Sequence, residues 1–170
     1  MTFPPAVRRL VLTLHVITSV GLLGAIAAFL ALAIAGLASR DASHVLAAYV
    51  AMHLIARTVV TPLALAALSS GVLQGLGTPW GLFRYYWVFI KLLATAFATA
   101  VLLAKLPLIA SAARMAAAGA PQGDLRAIGL QLLVHAGGGL TFLMLPMVLS
   151  IYKPRGLTRH GARVLRAGPR

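Results

Sequence analysis

Four long apolar segments divide the chain, at about residues 10–38, 45–74, 80–104 and 127–151. Each is bounded by charged residues, glycine or proline. At 1.5 Å per residue, each is long enough to cross a hydrocarbon core of about 30 Å as a helix. The pattern predicts an all-α fold, a four-transmembrane-helix up-down bundle over residues 1–152.

Two stretches fall outside these segments. Residues 105–125 are mixed in character, and the arginine and small side chains there are too weakly apolar to span a membrane. They predict an external loop that contains a short interfacial helix. Residues 153–170 lack apolar periodicity and carry many basic groups, which predicts a cytoplasmic tail that touches anionic lipid head groups.

Composition supports the membrane assignment. Hydrophobic residues make up 61% of the chain, with Lys+Arg 15 and Asp+Glu 2, which leaves too little polar surface for a soluble domain. The net charge is +13, but the basic residues crowd the ends of the apolar segments, so nucleic acid is excluded as a partner. With Cys 0, disulfides and thiolate metal sites are excluded as well.

The distribution of Lys and Arg predicts how the bundle is oriented. Nine basic residues, among them Arg84 at the start of the third span, lie towards the side that holds both termini, and four lie towards the other side. The positive-inside rule therefore predicts that both termini are cytoplasmic. The Ala, Leu, Gly and Arg bias is typical of a bacterial genome, so we expect a multi-pass protein of the bacterial inner membrane.

Polar residues inside the spans recur at helical spacing and so share helix faces. The rows are Tyr49, His53, Arg57 and Thr61 in the second segment, Lys91, Thr95 and Thr99 in the third, and Gln131, His135 and Gly139 in the fourth, with His15, Thr18 and Ser19 in the first. A charged group facing lipid at mid-bilayer costs about 2.5 to 3.5 kcal/mol on insertion scales. The rows are therefore predicted to face a common interior.

Arg57 and Lys91 are the two cations near the middle of the spans, and no Asp or Glu lies in any of the four segments. A desolvated guanidinium needs an anion, a water-filled cavity or backbone carbonyls. Arg57 cannot lose its proton under ordinary conditions. The sequence therefore leaves two interpretations open, an anionic ligand or solvation by carbonyls and water.

Three span histidines are candidate metal ligands. His53 and His135 lie about eight and nine residues from the outer boundary, on helices predicted to be diagonal partners, so the pair is predicted to hold haem b by both axial positions. Gly139 and its glycine neighbours would let a flat macrocycle approach the backbone, and Arg57 or Lys91 could meet its propionates. His15 lies nearer the cytoplasmic side, where a proton-relay or quinone-side role is the alternative. Each histidine could instead simply bond a neighbouring helix.

Two sets of motifs carry resemblances. The strings GTPWGLFR at 77–84, YWV at 86–88 and LSIYKPRG at 149–156 resemble an uncharacterised family of four-helix bacterial membrane proteins. Leu14-His15, together with Trp87 four residues before Lys91-Leu92, is more loosely similar to the membrane-embedded, haem-containing protoporphyrinogen oxidase family and to copper-resistance protein D. The second resemblance implies a tetrapyrrole or redox role in which His15 and Lys91 matter.

The leading hypothesis is therefore a membrane protein that binds haem b for electron or tetrapyrrole handling. One alternative is a carrier for a small organic anion, which would use Arg57 and Lys91 and would oligomerise to enclose a path. Another is an accessory or assembly subunit of a larger membrane complex. A phosphate loop, a nucleophile elbow and paired carboxylates are all missing from the sequence, which leaves open whether the protein is an enzyme.

Overall fold

The computed structural model describes residues 3–78, 81–152 and 156–166. Its helices are α1 (Pro5–Ala38), α2 (Ala42–Ile55), a π-helical turn (Ala56–Val60), α3 (Thr61–Gly77), α4 (Tyr86–Ala117), α5 (Gln122–Tyr152) and α6 (Arg159–Arg166). α2, the π-turn and α3 follow one another without a break and form a single rod, here called the second rod. In the described part of the chain, α1, the second rod, α4 and α5 are each long and apolar enough to cross a membrane. The predicted all-α, four-transmembrane-helix fold is confirmed.

The four rods form a ring in chain order. α1 packs against the second rod and α5, and α4 packs against the same two neighbours. Among the described residues, the backbones of α1 and α4 do not come close to each other, nor do those of the second rod and α5. Consecutive rods are therefore neighbours that run in opposite directions, and the second and fourth lie diagonally, as the up-down prediction requires.

The first and last described segments lie at the same end of the bundle, which we call the terminal end. The backbone N–H of Phe3 donates to the carbonyl of Gly77 at 3.0 Å, and that of Thr158 donates to the carbonyl of Arg84 at 3.0 Å. The opposite end, where α1 joins α2 and α4 joins α5, is called the loop end. There Asp41 begins α2 by accepting a hydrogen bond from the N–H of Ser43 at 2.8 Å. Hydrogen bonds from Ser43 hold the pKa of Asp41 below its usual value.

The third spanning helix differs from its predicted bounds of 80–104. It begins at Tyr86, after a turn in which Gly81 has a φ of 62°, and it continues through Pro107 to Ala117. Pro79 and Trp80 lie outside the described residues. The predicted external loop at 105–125 is wrong, because residues 105–117 are a regular part of α4.

Close packing explains why α4 continues. Four residues of this stretch are buried: Ile109, Ala112, Ala113 and Ala116. Small side chains let helix backbones approach closely, and the resulting dispersion contacts stabilise a helix that is only weakly apolar. Pro107 removes one backbone donor, which membrane helices tolerate when neighbouring groups compensate. Hydropathy failed to predict a helix here because alanine contributes little to mean hydropathy, although its small side chain allows close helix packing.

The second rod contains an unexpected π-turn. Just before Pro62 the helical turn widens, from Ala56 to Val60. The Thr61 hydroxyl donates to the carbonyl of Ala56 at 2.7 Å, five residues back. A proline ring clashes with the carbonyl four residues earlier in a regular helix, and one extra residue in the turn relieves that clash.

The bundle interior is most completely filled towards the loop end. A cluster of buried side chains from all four rods meets there: Phe29, Ala33, Val45, Tyr49, Met52, Ala56, Ile109, Ala112, Ala116, Leu125 and Leu132. Met52 is only 1% exposed and Ala112 is 0% exposed. The Tyr49 hydroxyl donates to the carbonyl of Leu125 at 2.8 Å and so links the two diagonal rods.

Candidate functional site

The depth of His53 can be read from the packing of α1 on α2. A Cβ added to Gly36 would lie 3.3 Å from the Cβ of Ala48, so residues 36 and 48 share a level. α1 and α2 run in opposite directions. His53, five residues beyond Ala48, therefore lies level with residue 31 of α1.

The depth of His135 follows from α1 and α5 in the same way. A Cβ added to Gly137 would lie 3.9 Å from Leu30, which places His135 level with residue 32 of α1. One residue of difference corresponds to about 1.5 Å along a helix. His53 and His135 therefore lie at the same level, as the sequence predicted.

Equal depth does not bring the two side chains to a common space. Phe29, Met52 and Leu132 are buried in the core cluster at this part of the bundle. His53 is half-buried, and His135 is exposed on the α5 side, where it lines a groove that His53 does not line. Their pairing as axial ligands stays a prediction, and it would require core side chains to move.

The groove beside His135 runs between α4 and α5 and has a volume of about 470 Å³. The polar or backbone-exposing residues on its walls are Thr95, Thr99, Lys105, His135, Gly138 and Gly139, and its apolar floor includes Leu22, Phe29 and Val60. Two further wall residues, Phe97 and Val134, are 62% and 66% exposed. The groove therefore opens sideways onto the surface that would face lipid.

The hydrogen bond of His135 fixes which ring nitrogen is free. Its Nδ1 lies 2.7 Å from the carbonyl oxygen of Gln131, which can only accept. The proton must therefore be on Nδ1, and neutral His135 keeps the Nε2 lone pair available. A histidine whose other N–H is held by a backbone carbonyl has the arrangement typical of metal-ligating imidazoles.

Lys105 lies across the groove from this imidazole. The rings of Phe97 and Phe142 meet edge to face at 5.9 Å, which sets the register of α4 against α5. Eight residues further along α4, Lys105 comes level with residue 134, one position from His135. The groove thus combines an imidazole and a cation at one depth within an otherwise apolar wall.

The predicted glycine patch borders open space. A Cβ added to Gly138 or Gly139 would meet no atom within 4 Å. Both glycines line the groove, so a flat molecule could lie against the α5 backbone at this point. Gly139 and His135 line the same groove, and the approach of a macrocycle there stays a prediction.

His15 and Lys91 belong to a different cluster near the terminal end, to which four helices contribute. This terminal-end cluster consists of His15 on α1, Ser70 on α3, Trp87 and Lys91 on α4, and Ser150 on α5. His15 Nδ1 lies 3.1 Å from both the carbonyl of Ala67 and the hydroxyl of Ser70. The carbonyl can only accept, so His15 also carries its proton on Nδ1.

Lys91 points into the bundle, as predicted. Its ammonium donates to the hydroxyl of Ser150 and lies 5.5 Å from the centre of the Trp87 ring. Its charge also acts on His15. The two residues that the family resemblance singled out therefore lie together in one polar cluster.

Arg57 contradicts the prediction that it faces the interior. It is exposed, whereas Tyr49 in the same predicted row is buried and His53 is half-buried. At 3.6 residues per turn, each step of four residues rotates a side chain by about 40°, so the row drifts outwards along the helix. Within the described residues, neither a hydrogen bond nor an ion pair reaches Arg57. Arg57 and Lys91 consequently do not share a site.

Sequence reasoning missed Lys105 and Ser150. Lys105 was placed in the predicted loop, and it lies six residues beyond Thr99, a spacing that does not continue the four-residue row of the third segment. Ser150 gave no signal beyond lying four residues after Pro146, whose carbonyl accepts from its hydroxyl at 2.8 Å.

No protein-family model, curated protein or solved structure matches the chain. Among the described residues, no group of three or more His, Asp or Glu side chains could hold a metal ion on its own. A tetrapyrrole supplies four ring nitrogens and needs one or two ligands from the protein.

Proposed function

We propose that this integral membrane protein binds a tetrapyrrole of the haem b class in the groove between α4 and α5, and that it handles electrons or the tetrapyrrole itself in the bacterial inner membrane. The observation that carries the proposal is the His135 imidazole. Its Nδ1 proton is held by the carbonyl of Gln131, and its Nε2 is available on a groove wall. The iron of a bound haem would supply one-electron chemistry.

The rest of the groove fits the same class of molecule. The walls are apolar, as the face of a macrocycle requires, and Gly138 and Gly139 leave room for a flat ring. Lys105 would attract a propionate at the same depth. The lateral opening would admit an apolar molecule directly from the bilayer.

His15 would not share an iron with His135. The level of His135 corresponds to residue 32 of α1, which is about 25 Å along the helix from His15. In this proposal the terminal-end cluster of His15 and Lys91 has a separate role, such as proton handling, in line with its polar contacts. His53 remains the candidate for a second axial ligand if the core side chains between it and His135 move.

The exposed arginines of α6 extend the proposal to the membrane surface. Arg159, Arg163 and Arg166 lie on this short helix beside the terminal end. If the terminal end is cytoplasmic, as the charge count predicts, these cations would meet anionic lipid head groups.

Haemin titration of the purified protein, followed by the Soret band, tests the proposal. We expect the unaltered chain to bind. The change His135→Ala should weaken binding by more than about 100-fold. Loss of an outer-shell partner of a metal ligand already costs up to about 100-fold, and loss of the ligand itself should cost more. Gly139→Leu should weaken it too, because leucine would occupy the groove while His135 stays intact.

His44→Ala is the matched control, because His44 is an exposed histidine at the loop end. It should leave the Soret band unchanged. Failure of the unaltered chain to bind haemin would contradict the proposal. Loss of binding in His15→Ala with retention in His135→Ala would also contradict it, since the terminal-end cluster would then be the haem site.

A further inference from the structure

Arg57 lies on a surface that none of the sites above uses. It is exposed on the second rod, in the π-turn, and Val50 and Leu54 precede it by seven and three residues on the same helix face. Val50 is 46% and Leu54 is 60% exposed. Exposed apolar side chains are ordinary in a protein surrounded by lipid, but an exposed guanidinium among them is not.

Two separate contacts between α1 and the second rod give the depth of Arg57. The contact of Gly36 with Ala48 places residue 57 level with residue 27 of α1, and a Cβ on Gly21, 3.5 Å from Leu63, gives the same level. This level is about 20 Å from Arg40 and about 27 Å from Arg9 along the helix. A hydrocarbon core of about 30 Å centred between those two arginines would leave Arg57 about 12 Å inside it.

At that depth Arg57 needs an anion or another polar partner, which the described part of the bundle does not provide. The side chain is too short to carry its charge through that distance to the lipid phosphates. No described residue bonds it. Arginine also stays protonated in apolar surroundings, so it cannot escape the cost by losing its charge.

A second copy of the chain cannot provide the anion either. The two acidic residues of the sequence are Asp41 and Asp124. Asp41 begins α2, and Asp124 lies in the first turn of α5, both at the loop end. Copies inserted with the same orientation keep these carboxylates about 24 Å away from the level of Arg57.

We propose that the face of Val50, Leu54 and Arg57 docks a transmembrane helix of a different membrane protein, and that an Asp or Glu of that helix pairs with Arg57 at the same depth. The apolar residues on either side would pack against the partner and exclude lipid from the ion pair. Charge complementarity would then select the partner and fix its register. This surface lies on the second rod, away from the groove between α4 and α5, so the inference does not depend on haem binding.

Energy transfer between labelled molecules in phosphatidylcholine vesicles tests this inference. The full-length chain carries the donor. The probe is a Leu/Ala transmembrane peptide with one Glu at the depth of Arg57, and its matched control has Gln there. We expect the Glu peptide to associate about tenfold more strongly than the Gln peptide, the range that polar contacts between membrane helices reach.

Variants of the chain test whether Arg57 itself makes the contact with the peptide. Arg57→Leu should lose the preference for Glu, whereas Thr58→Leu, at the exposed neighbouring position, should keep it. Arg57→Glu should instead prefer a peptide with a single Lys. Because Arg57 is exposed, these variants should keep the helical circular dichroism and thermal unfolding of the parent.

Three results would overturn the inference. Equal association of the Glu and Gln peptides with the unaltered chain would do so, and that comparison needs no folded variant. An undiminished Glu preference in Arg57→Leu would assign the contact elsewhere. Self-association of labelled chains that Arg57→Leu abolishes would show that a second copy covers this face.

Discussion

In the loop-end half of the bundle the interior is filled by apolar and small side chains, whereas in the terminal-end half polar side chains reach from one helix to another. Phe29, Met52 and Ala112 pack in the first half. His15 bonds α3, and Lys91 bonds α5, in the second. In a bilayer, lipid tails are as apolar as leucine, so dispersion contacts and hydrogen bonds must hold helices together. Dispersion contacts between packed side chains predominate in the loop-end half, and hydrogen bonds between helices are more prominent in the terminal-end half.

This difference decides where chemistry can occur. In the filled half Phe29, Met52 and Leu132 are buried near the level of His53 and His135, and the open space beside His135 is the groove between α4 and α5. In the polar half His15 and Lys91 each bond a group on a neighbouring helix, and both are half-buried. We expect mutations in the two halves to affect stability by different mechanisms.

The largest effect is expected from Met52→Ala in the packed half. The substitution opens a cavity at a position that is 1% exposed, and comparable core truncations cost about 2 to 5 kcal/mol. Thermal unfolding in detergent would measure the loss. Met144→Ala is the matched control, because Met144 is 53% exposed and its truncation leaves no cavity. Equal losses in the two variants would contradict the packing contrast.

A smaller effect is expected for the polar half, measured as the coupling between Lys91 and Ser150. A double-mutant cycle of Lys91→Met and Ser150→Ala should give a coupling of about 1 to 2 kcal/mol, the upper range for hydrogen bonds between membrane helices. Ser69→Ala provides the control because Ser69 is exposed. Zero coupling would show that the hydrogen bond between Lys91 and Ser150 does not contribute to the stability of the bundle.

The smallest effect is expected from Tyr49→Phe. The change deletes the hydrogen bond to the carbonyl of Leu125 and keeps the ring in the packed cluster. A loss of about 0.6 kcal/mol is the average for one such bond in a membrane protein. Tyr86→Phe, at an exposed ring, should cost less in the same unfolding measurement. A loss as large as that of Met52→Ala would show that directional bonds dominate this half too.

Sequence periodicity predicted the depth of side chains better than their direction. The equal level of His53 and His135 was predicted, because rise per residue varies little along a helix. The direction of Arg57 was not, because a spacing of four residues drifts by about 40° per step and the π-turn adds a further local change. An angular drift of about 40° per step soon turns a side chain to another face of the helix, whereas the rise per residue is nearly constant and keeps the predicted depth close to the observed one.

Helix ends were also predicted unevenly. α1 ends at Ala38, where the apolar segment was predicted to end. α4 begins later and ends later than its apolar segment, because the turn around Gly81 and the packing of Ala112 and Ala116 set its bounds. Hydropathy measures transfer into lipid, and it does not register how closely a small side chain lets two helices approach.

The sequence by itself determined the number of spanning helices, their alternating directions and the depth of each histidine. These follow from the length of apolar runs and from the fixed rise of a helix, both of which are local properties. Only the tertiary structure decided that His15 and Lys91 share a cluster, that Lys105 faces His135 across a groove, and that Arg57 points outwards. Those outcomes depend on helix rotation and on which side chains fill the centre, and rotation is set by the packing of all four rods together.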